Sequence, residues 1–394
     1  MKTCVKCLLP ETHETIEFNN AGTCNICVGQ RTKQEAIDWD KQKIALDQLV
    51  ERHRGKYDYD CIVPFSGGKD STWTLYYLVK EYKIKPLVVR FDHGFMRPNL
   101  EENVKKVQRE LGCDVISFTP NWHTVRKLML QSFLDKGDFC WHCHTGIFSY
   151  PMWVALEKKI PLIFWGEPSA EYTAYFSYDE PEMVDEERFN RFVNLGINAD
   201  DMFLRLGASL DYRDLKPYTF PELNALKELN FESVCLGSFV QWDVPKQSEI
   251  IMKELGWCGD EVENVPPKYS YEKIECYMQG VRDYIKYIKR GYSRPSHLAA
   301  LDLRAGRMKK NEAAEMINLY EGKTPPSLEI FLEFIGLKEE EFYEVAMSHQ
   351  VKPWEYKKSA DNRGKKTADF ENWSRKGHLD RETSLEMFKQ WKKG

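Results

Sequence analysis

The chain has no long apolar run and no excess of basic charge. None of its apolar stretches approaches the roughly 20 residues that a membrane helix needs, and the N-terminus lacks a signal-peptide core. Its 394 residues carry 56 lysine and arginine against 61 aspartate and glutamate, a net charge of −5. We therefore expect a cytoplasmic protein without a membrane partner, which holds a small anionic substrate locally rather than through a global basic field.

Eleven cysteines are present, and disulfides are rare in cytosolic proteins, so metal or redox chemistry is indicated. Cys4 and Cys7 form one CxxC pair, and Cys24 and Cys27 form a second, within residues 1–30. This spacing matches a four-thiolate zinc ribbon. A segment this short cannot fold by burying apolar area alone, so the metal would supply the folding energy. A pair of redox-active dithiols is the alternative.

A third CxxC pair, Cys140 and Cys143, lies in the sequence CWHCH. It is a candidate second metal site, and an iron–sulfur cluster, a redox dithiol and a structural or substrate-contact role are further interpretations. A metal would need another ligand, from Cys235, Cys258, Cys276 or a histidine. We do not favour the iron–sulfur cluster.

From residue 57 to 260, apolar runs alternate with amphipathic segments, which is typical of a parallel sheet covered by helices on both faces. The sequence predicts strands at 59–65, 86–92, 113–119, 161–167 and 232–239. It predicts helices at 71–82, 99–111, 122–136 and 147–159. Residues 168–230 form an aromatic, acidic insertion, which we interpret as a lid or substrate-binding excursion.

The rest of the chain is predicted to be mainly helical. Residues 31–56 are predicted to form a linker helix. Residues 261–350 read as a helical C-terminal region that begins with a long helix at 271–289. The last segment, 351–394, is a basic tail that contains tryptophans, most simply a surface tail.

The most informative segment is SGGKDS, residues 66–71, which lies between a predicted strand and a helix. Gly67 and Gly68 allow a sharp bend with exposed backbone N–H groups, and Ser66 and Ser71 add hydroxyl donors. The following helix directs its positive end toward an anion. The segment therefore predicts a phosphate cradle.

The same loop is not a Walker A motif, because Lys69 precedes Asp70 rather than serine or threonine and Val63 stands where a glycine is needed. SGGKDS resembles instead the PP-loop of the ATP pyrophosphatases. Enzymes of that superfamily activate a carbonyl oxygen as its adenylate, release pyrophosphate and let a nucleophile displace AMP. The resemblance implies a PP-loop domain over residues 57–260.

Other strand ends should lie near this loop, because ligands bind beyond the carboxyl ends of parallel strands. Asp92 ends the second predicted strand, and Gly166 and Glu167 end the fourth. We expect Ser66, Asp92, Gly166 and Glu167 to meet in one crevice.

Three further motifs narrow the resemblance: LGSFVQWD at 236–243, YEKIECYMQGVRDYIKYIKRGYSR at 271–294 and LDLRAGRMKKNEA at 301–313. With SGGKDS, the ribbon and CWHCH, the chain resembles the N-acetyl sugar amidotransferase family of bacterial surface-polysaccharide and flagellin-sugar pathways. The resemblance runs from residue 4 to about 347. It implies an AMP-forming carbon–nitrogen ligase that uses ATP and Mg²⁺ to convert an acetamido group of a nucleotide sugar to an acetamidino group. Ammonia would come from a glutaminase subunit through a cyclase-like subunit, which makes two protein partners.

The resemblance also implies roles for the loop. The residues expected to hold the pyrophosphate portion of ATP are Ser66, Gly67, Gly68, Lys69 and Ser71. Asp70 would orient the loop or bind Mg²⁺, and Asp92 would contact ribose, adenine or metal, with Gly166 beside the nucleotide. Glu167 would bind metal or accept a proton. Lys69, Asp70 and Glu167 are thus the candidate catalytic residues, although Asp70, Asp92 and Glu167 also suit a helix first turn or a loop turn.

Basic residues of the C-terminal region are candidates for binding a nucleotide-sugar diphosphate or a uronate carboxylate. They are Arg282, Arg290, Arg294, His297, Arg304 and Arg307. Most of them also suit solvated helix positions.

Two other functions are consistent with parts of the sequence. A PP-loop tRNA sulfurtransferase would use the third CxxC pair as an iron–sulfur or redox site and tRNA as its partner, although the acidic net charge argues against it. A catalytically inactive scaffold is the other, and the intact SGGKDS loop argues against that.

Overall fold

The structure is a computed structural model, and it describes residues 1–166, 185–186, 189–358, 362–364 and 381–393. Its centre is a five-stranded parallel sheet in the order β3-β2-β1-β4-β5. The strands are β1 Cys61–Pro64, β2 Pro86–Phe91, β3 Asp114–Phe118, β4 Leu162–Trp165 and β5 Glu232–Cys235. All four strand pairings are parallel. The predicted α/β class is confirmed.

The first helices flank the sheet. In chain order they are α1 Asn25–Ala36, α2 Trp39–His53, α3 Lys69–Lys80, α4 Pro98–Leu111, α5 Trp122–Lys136 and α6 Trp141–Lys158. Cys61 and Val63 of β1 pack in one buried cluster with residues of α3 and α4, whereas Ile62 packs in another with α6. Both faces of the sheet are therefore covered, which is why β1 carries apolar residues without alternation. Residues 31–56, predicted as one linker helix, contain a break between α1 and α2.

Part of the insertion is helical and packs against the domain. It contains α7 Ala199–Leu206 and α8 Leu223–Glu228, and α9 Val244–Leu255 follows β5. The indole N–H of Trp141 donates to the carbonyl of Ile197 at 2.7 Å, which fixes the described part of the insertion to α6. The remainder of the insertion, 168–184 and 187–188, lies outside the described residues. A lid role for 168–230 stays a prediction.

The C-terminal region is helical, as expected. Its helices are α10 Gln279–Arg290, α11 Arg294–Arg304, α12 Lys310–Tyr320, α13 Ser327–Ile335, α14 Glu339–Ser348 and α15 Arg381–Trp391. Phe133 of α5 packs on Phe331 and Phe342, so this region shares a core with the sheet domain. The helix predicted to begin at 271 begins at Gln279 instead. Among the described residues, no helix is long and apolar enough to cross a membrane.

Candidate functional site

The N-terminal cysteines form one compact buried group. The Sγ atoms of Cys4 and Cys27 lie 3.9 Å apart, those of Cys7 and Cys24 lie 3.7 Å apart, and all four lie within 4.8 Å of one another. Metal–sulfur bonds of about 2.3 Å in a tetrahedron place sulfurs about 3.8 Å apart. These four cysteines are therefore a group that can hold zinc, as the sequence predicted.

The thiols of this group influence one another strongly. Hydrogen bonds from Cys24 and then Cys27 lower the pKa of Cys7 to about 2. Hydrogen bonds with Cys24 and Cys7 raise the pKa of Cys27 far above its ordinary value. A divalent metal would supply the positive charge that stabilises several thiolates together.

The cysteine group is joined to the C-terminal region. Tyr292 is buried in the same cluster as the cysteines and stacks on His13 with ring centroids 5.4 Å apart. Thr12 exchanges two hydrogen bonds with Arg290, each 2.5 Å long. The segment is therefore fastened to the turn after α10.

The SGGKDS loop joins β1 to α3, as predicted. Gly67 has a φ of +86°, and a Cβ there would lie 2.6 Å from Cγ2 of Val104. A Cβ on Gly68 would lie 1.9 Å from Oε1 of Glu275. Gly67 is therefore favoured for its left-handed backbone and for space, whereas a side chain at position 68 would have to displace the carboxylate of Glu275. Because the N-cap of α3 is Gly68, no capping side chain covers its first-turn N–H groups.

Internal hydrogen bonds hold the loop in shape. The hydroxyls of Ser66 and Ser71 lie 3.1 Å apart, and the amide of Gly68 donates to Ser66 Oγ at 3.2 Å. The indole N–H of the fully buried Trp257 donates to the carbonyl of Gly67 at 2.9 Å. The two serines thus shape the loop in this structure while remaining at the cavity that it borders.

Lys69 is buried in a charged cluster that the sequence analysis missed. Its Nζ lies 2.8 Å from Oδ2 of Asp70 and 3.1 Å from Oε1 of Glu272. Burial opposes ionisation of Glu272, but the positive charges of Lys69, Arg294 and Lys273 together outweigh it and hold its pKa below the ordinary value. Oδ1 of Asp70 is buried without a hydrogen-bond partner. The cluster therefore contains acceptor capacity that the protein leaves unused.

Glu272 and Glu275 belong to a segment, 271–278, that passes over the SGGKDS loop. Lys273 in this segment has a left-handed backbone, with a φ of +53°. The backbone N–H of Tyr277 donates to the carbonyl of Phe95 at 2.9 Å, a long-range bond in place of a helical one. These contacts explain why the segment is not helical although its sequence has a helical period.

The loop opens on a cavity of about 310 Å³, which we call the main cavity because the SGGKDS loop borders it. Ser66, Asp70, Ser71 and Gly166 line it, so the loop and the predicted end of the fourth strand are brought together. Further lining residues are Lys273, Glu275, Gln279 and Arg282. The amide nitrogen of Gln279 is buried and has no hydrogen-bond partner. The cavity thus combines an apolar wall with convergent polar groups, the usual make-up of a ligand site.

Two predicted strand-end residues are not seen in this cavity. Asp92 accepts hydrogen bonds from the amide of Gly94 at 2.8 Å and from Oγ1 of Thr119 at 3.1 Å, which closes the turn after β2, and its neighbour His93 lines the cavity instead. Glu167 lies outside the described residues. A nucleotide or metal role for either stays a prediction.

Cys140 and Cys143 line the main cavity together with Cys276. Of the additional ligands that the sequence left open, Cys276 and the histidine His144 line this cavity too, and a ligand role for either stays a prediction. Burial raises the pKa of all three thiols, that of Cys276 to about 12. Within the described part of the chain, Cys4, Cys7, Cys24 and Cys27 are the only group of three or more potential ligands whose metal-binding atoms all lie within 4.8 Å of one another. The three cavity cysteines therefore do not form a closed mononuclear site in this conformation.

The candidate basic residues separate into groups. Arg282, Arg290 and Arg294 line one pocket beside α10. Arg304 ends α11 with buried Nε and Nη1 atoms that have no hydrogen-bond partner. Arg307 follows the end of that helix and pairs with Asp302, so Arg304 and Arg307 do not share a helix face. His297 lies on α11; burial and then Arg294 lower its pKa.

Comparison with known proteins finds a similarity in the C-terminal region. Residues 263–368 match the family model of the LPS biosynthesis protein WbpG-like, C-terminal domain. An uncharacterized protein of Methanocaldococcus jannaschii is 28% identical to this chain, over 24% of this chain and 41% of that protein. The matched C-terminal region contains the 271–278 segment and α10, which wall the main cavity. Residues 263–368 are therefore similar to a lipopolysaccharide-biosynthesis domain, which supports the polysaccharide-sugar resemblance and does not favour the tRNA-thiolation alternative.

Proposed function

We propose that this chain is an ATP-dependent amidotransferase of bacterial surface-sugar biosynthesis. It adenylates an acetamido group of a nucleotide sugar and replaces the oxygen by ammonia-derived nitrogen, with release of pyrophosphate and AMP. The observation that carries the proposal is the shared cavity. The SGGKDS loop forms one wall, and residues between 273 and 282, within the WbpG-like match, form another. The loop that we propose binds phosphate and the region similar to a lipopolysaccharide-biosynthesis domain thus face the same space.

The chemistry explains why such an enzyme uses ATP. An amide carbonyl is a poor electrophile, and its oxygen cannot leave as oxide. Attack of the amide oxygen on the α-phosphorus forms an O-adenylyl imidate and expels pyrophosphate. Ammonia then adds to the imidate carbon, and AMP leaves with the former amide oxygen. The protein mainly positions the reactants and stabilises phosphate charge.

The described residues supply groups for these tasks. The N–H groups at the start of α3 and the hydroxyls of Ser66 and Ser71 would hold the pyrophosphate portion. Lys69 would neutralise developing charge. Mg²⁺ would supply charge neutralisation across the phosphates, and Asp70, which has a buried unpartnered oxygen, is the residue in the cavity that fits it. Glutaminase and cyclase-like partners would deliver ammonia in the cell.

The test is mass spectrometry of a diacetamido uronic acid nucleotide sugar incubated with the purified chain, ATP, Mg²⁺ and ammonium. We expect a product with NH in place of O, and AMP and pyrophosphate in equal amounts to it. Glutamine alone should not replace ammonium, because the glutaminase is a separate subunit.

A matched pair of variants ties activity to the loop. Lys69→Ala should reduce turnover by about 10²–10³, as for other preorganised charges at a reaction centre. Lys80→Ala removes an exposed lysine from the other end of the same helix and should leave turnover unchanged. Unchanged sugar, particularly together with thiolated tRNA in a parallel reaction, would contradict the proposal.

A further inference from the structure

A second cavity, which we call the basic pocket, lies between the N-terminal segment and α10 and has a volume of about 140 Å³. Five cationic side chains line it: Arg282, Lys286, Lys289, Arg290 and Arg294. The first four follow helical spacing and share one face of α10. The basic side chains on this face of α10 line the pocket.

Three carboxylates share these five cations. Glu14 lies 3.6 Å from Lys286 and 3.2 Å from Arg290. Asp138 lies 3.6 Å from Arg282, and Asp283 lies 3.4 Å from Arg294. Lys289 donates instead to the backbone carbonyls at positions 136 and 137. The pocket therefore has an excess of two positive charges.

The positive charge of the basic pocket is only partly compensated by its carboxylates. Burial lowers the pKa of Lys286 and Lys289, and neighbouring arginines act in the same direction. Nε of Arg294 and Oδ2 of Asp283 are buried without a hydrogen-bond partner, and Asp283 is only 8% exposed. An anion in the pocket would neutralise the excess and could accept a hydrogen bond from Nε of Arg294.

The basic pocket is adjacent to the main cavity, because Arg282 lines both. Lys286 is 37% exposed, so the pocket is also open to solvent. An elongated ligand could therefore place an anionic end in the pocket and a neutral ring past Arg282 in the main cavity. The diphosphate bridge of a nucleotide sugar carries two negative charges, equal to the excess positive charge of the pocket.

We propose that the basic pocket binds the diphosphate of the nucleotide-sugar substrate and positions its sugar ring at the SGGKDS loop. The identity of the sugar rests on the proposed amidotransferase function. The anion site itself rests on the pocket alone. Arg282 acts as the positioning residue between the two cavities, and the phosphates of ATP occupy the loop instead.

The test uses UDP as the probe and the full chain saturated with a nonhydrolysable ATP analogue, so that the loop is occupied. Lys286→Gln should weaken UDP binding roughly ten-fold, the loss of one charge-assisted contact. Lys268→Gln, a half-exposed lysine beside Asp302, is the matched control and should bind UDP as the wild type does. In turnover assays Lys286→Gln should raise KM for the sugar and leave KM for ATP unchanged.

Glu14→Gln separates binding from structure. The change removes a carboxylate that competes for Lys286 and Arg290, while the amide oxygen can still accept the hydrogen bond from Tyr292. If the pocket binds an anion, UDP binds more tightly to this variant. If these charges only fasten the N-terminal segment, the variant loses zinc or stability without a gain in UDP affinity, and the proposal fails.

The remaining outcomes are also decisive. UDP affinity that is equal in wild type and Lys286→Gln would overturn the proposal, as would loss of all UDP binding when the ATP analogue is present. UDP binding as expected together with absence of any amidine product would leave the anion site and refute the amidotransferase function. An effect of Lys286→Gln on ATP affinity alone would assign the pocket to ATP and overturn its assignment to the sugar.

Discussion

Glu263→Gln should make the protein more stable at alkaline pH and remove a pH dependence. Glu263 is 3% exposed and accepts hydrogen bonds from the backbone N–H and the hydroxyl of Ser327, at the start of α13. Burial raises its pKa from 4.5 to about 7, although these hydrogen bonds and Arg97 act in the opposite direction. The folded protein thus keeps a proton that the unfolded chain has released.

The sign and size of the pH effect on stability follow from the difference in the pKa of Glu263 between the folded and unfolded states. Between pH 4.5 and about 7 the folded state binds more protons at this site than the unfolded state, so stability falls as pH rises. The loss is complete above about pH 7 and amounts to about 3 kcal/mol. The glutamine of the variant is neutral at every pH, and its amide oxygen can accept the N–H of Ser327. The variant should therefore gain stability relative to wild type by about 2–3 kcal/mol between pH 5 and pH 8.

The assay is urea unfolding of both proteins at several pH values in this range. Glu340→Gln controls for the loss of one negative charge, because its side chain is exposed on α14. Burial also raises the pKa of Glu321 to about 7, so Glu321→Gln should give a second contribution in the same pH window. A wild-type-to-Glu263→Gln difference that stays constant from pH 5 to pH 8 would refute the reasoning.

Metal analysis should find about one zinc ion per chain, none in Cys7→Ser, and no change in Cys140→Ser, whose sulfur lies outside the four-cysteine group; loss of zinc from Cys140→Ser would contradict this. Gly67→Ala should lower the free energy of unfolding by about 2–4 kcal/mol, because alanine strains a left-handed backbone and its Cβ would meet a side chain at 2.6 Å. Urea unfolding measures the change in stability, and an unchanged unfolding midpoint would contradict the left-handed, crowded backbone described at Gly67. Glu272→Gln should cost about 1–3 kcal/mol, since Lys69 stays buried with one carboxylate fewer, and equal unfolding curves would show that this ion pair is not stabilising.

Local pattern was sufficient for most of the fold. The alternation of apolar runs and amphipathic segments predicted the parallel sheet because β1, β2, β4 and β5 are almost entirely buried, whereas β3 at the edge of the sheet is partly exposed. Parallel strands end at the same edge, so Ser66 and Gly166 were correctly expected to meet. Asp92 ends its strand at the same edge, but its carboxylate bonds to Gly94 and Thr119, and strand position alone does not reveal the direction of a side chain.

The other wall of the cavity could not be predicted from local pattern. Glu272 and Glu275 are about 200 residues away from the loop that they contact, and their segment has the period of a helix. Its actual path depends on long-range contacts, such as Tyr277 to Phe95, and on the left-handed backbone of Lys273. The only sequence signal for this wall was the family-like motif at 271–294. That motif indicated that the segment matters but not where it lies relative to the SGGKDS loop.

The nearness of Glu275 to Gly68 has a consequence for the order of binding. A carboxylate oxygen stands where even one added carbon would not fit, so it would repel a polyphosphate arriving at the same glycine. Under the proposed function, nucleotide entry would displace this carboxylate, which belongs to a segment that leads within seven residues to Arg282. Occupancy of the loop and occupancy of the basic pocket would then be thermodynamically linked. If the ligand in the loop changes the affinity of the basic pocket by some factor, the ligand in the pocket changes the affinity of the loop by the same factor.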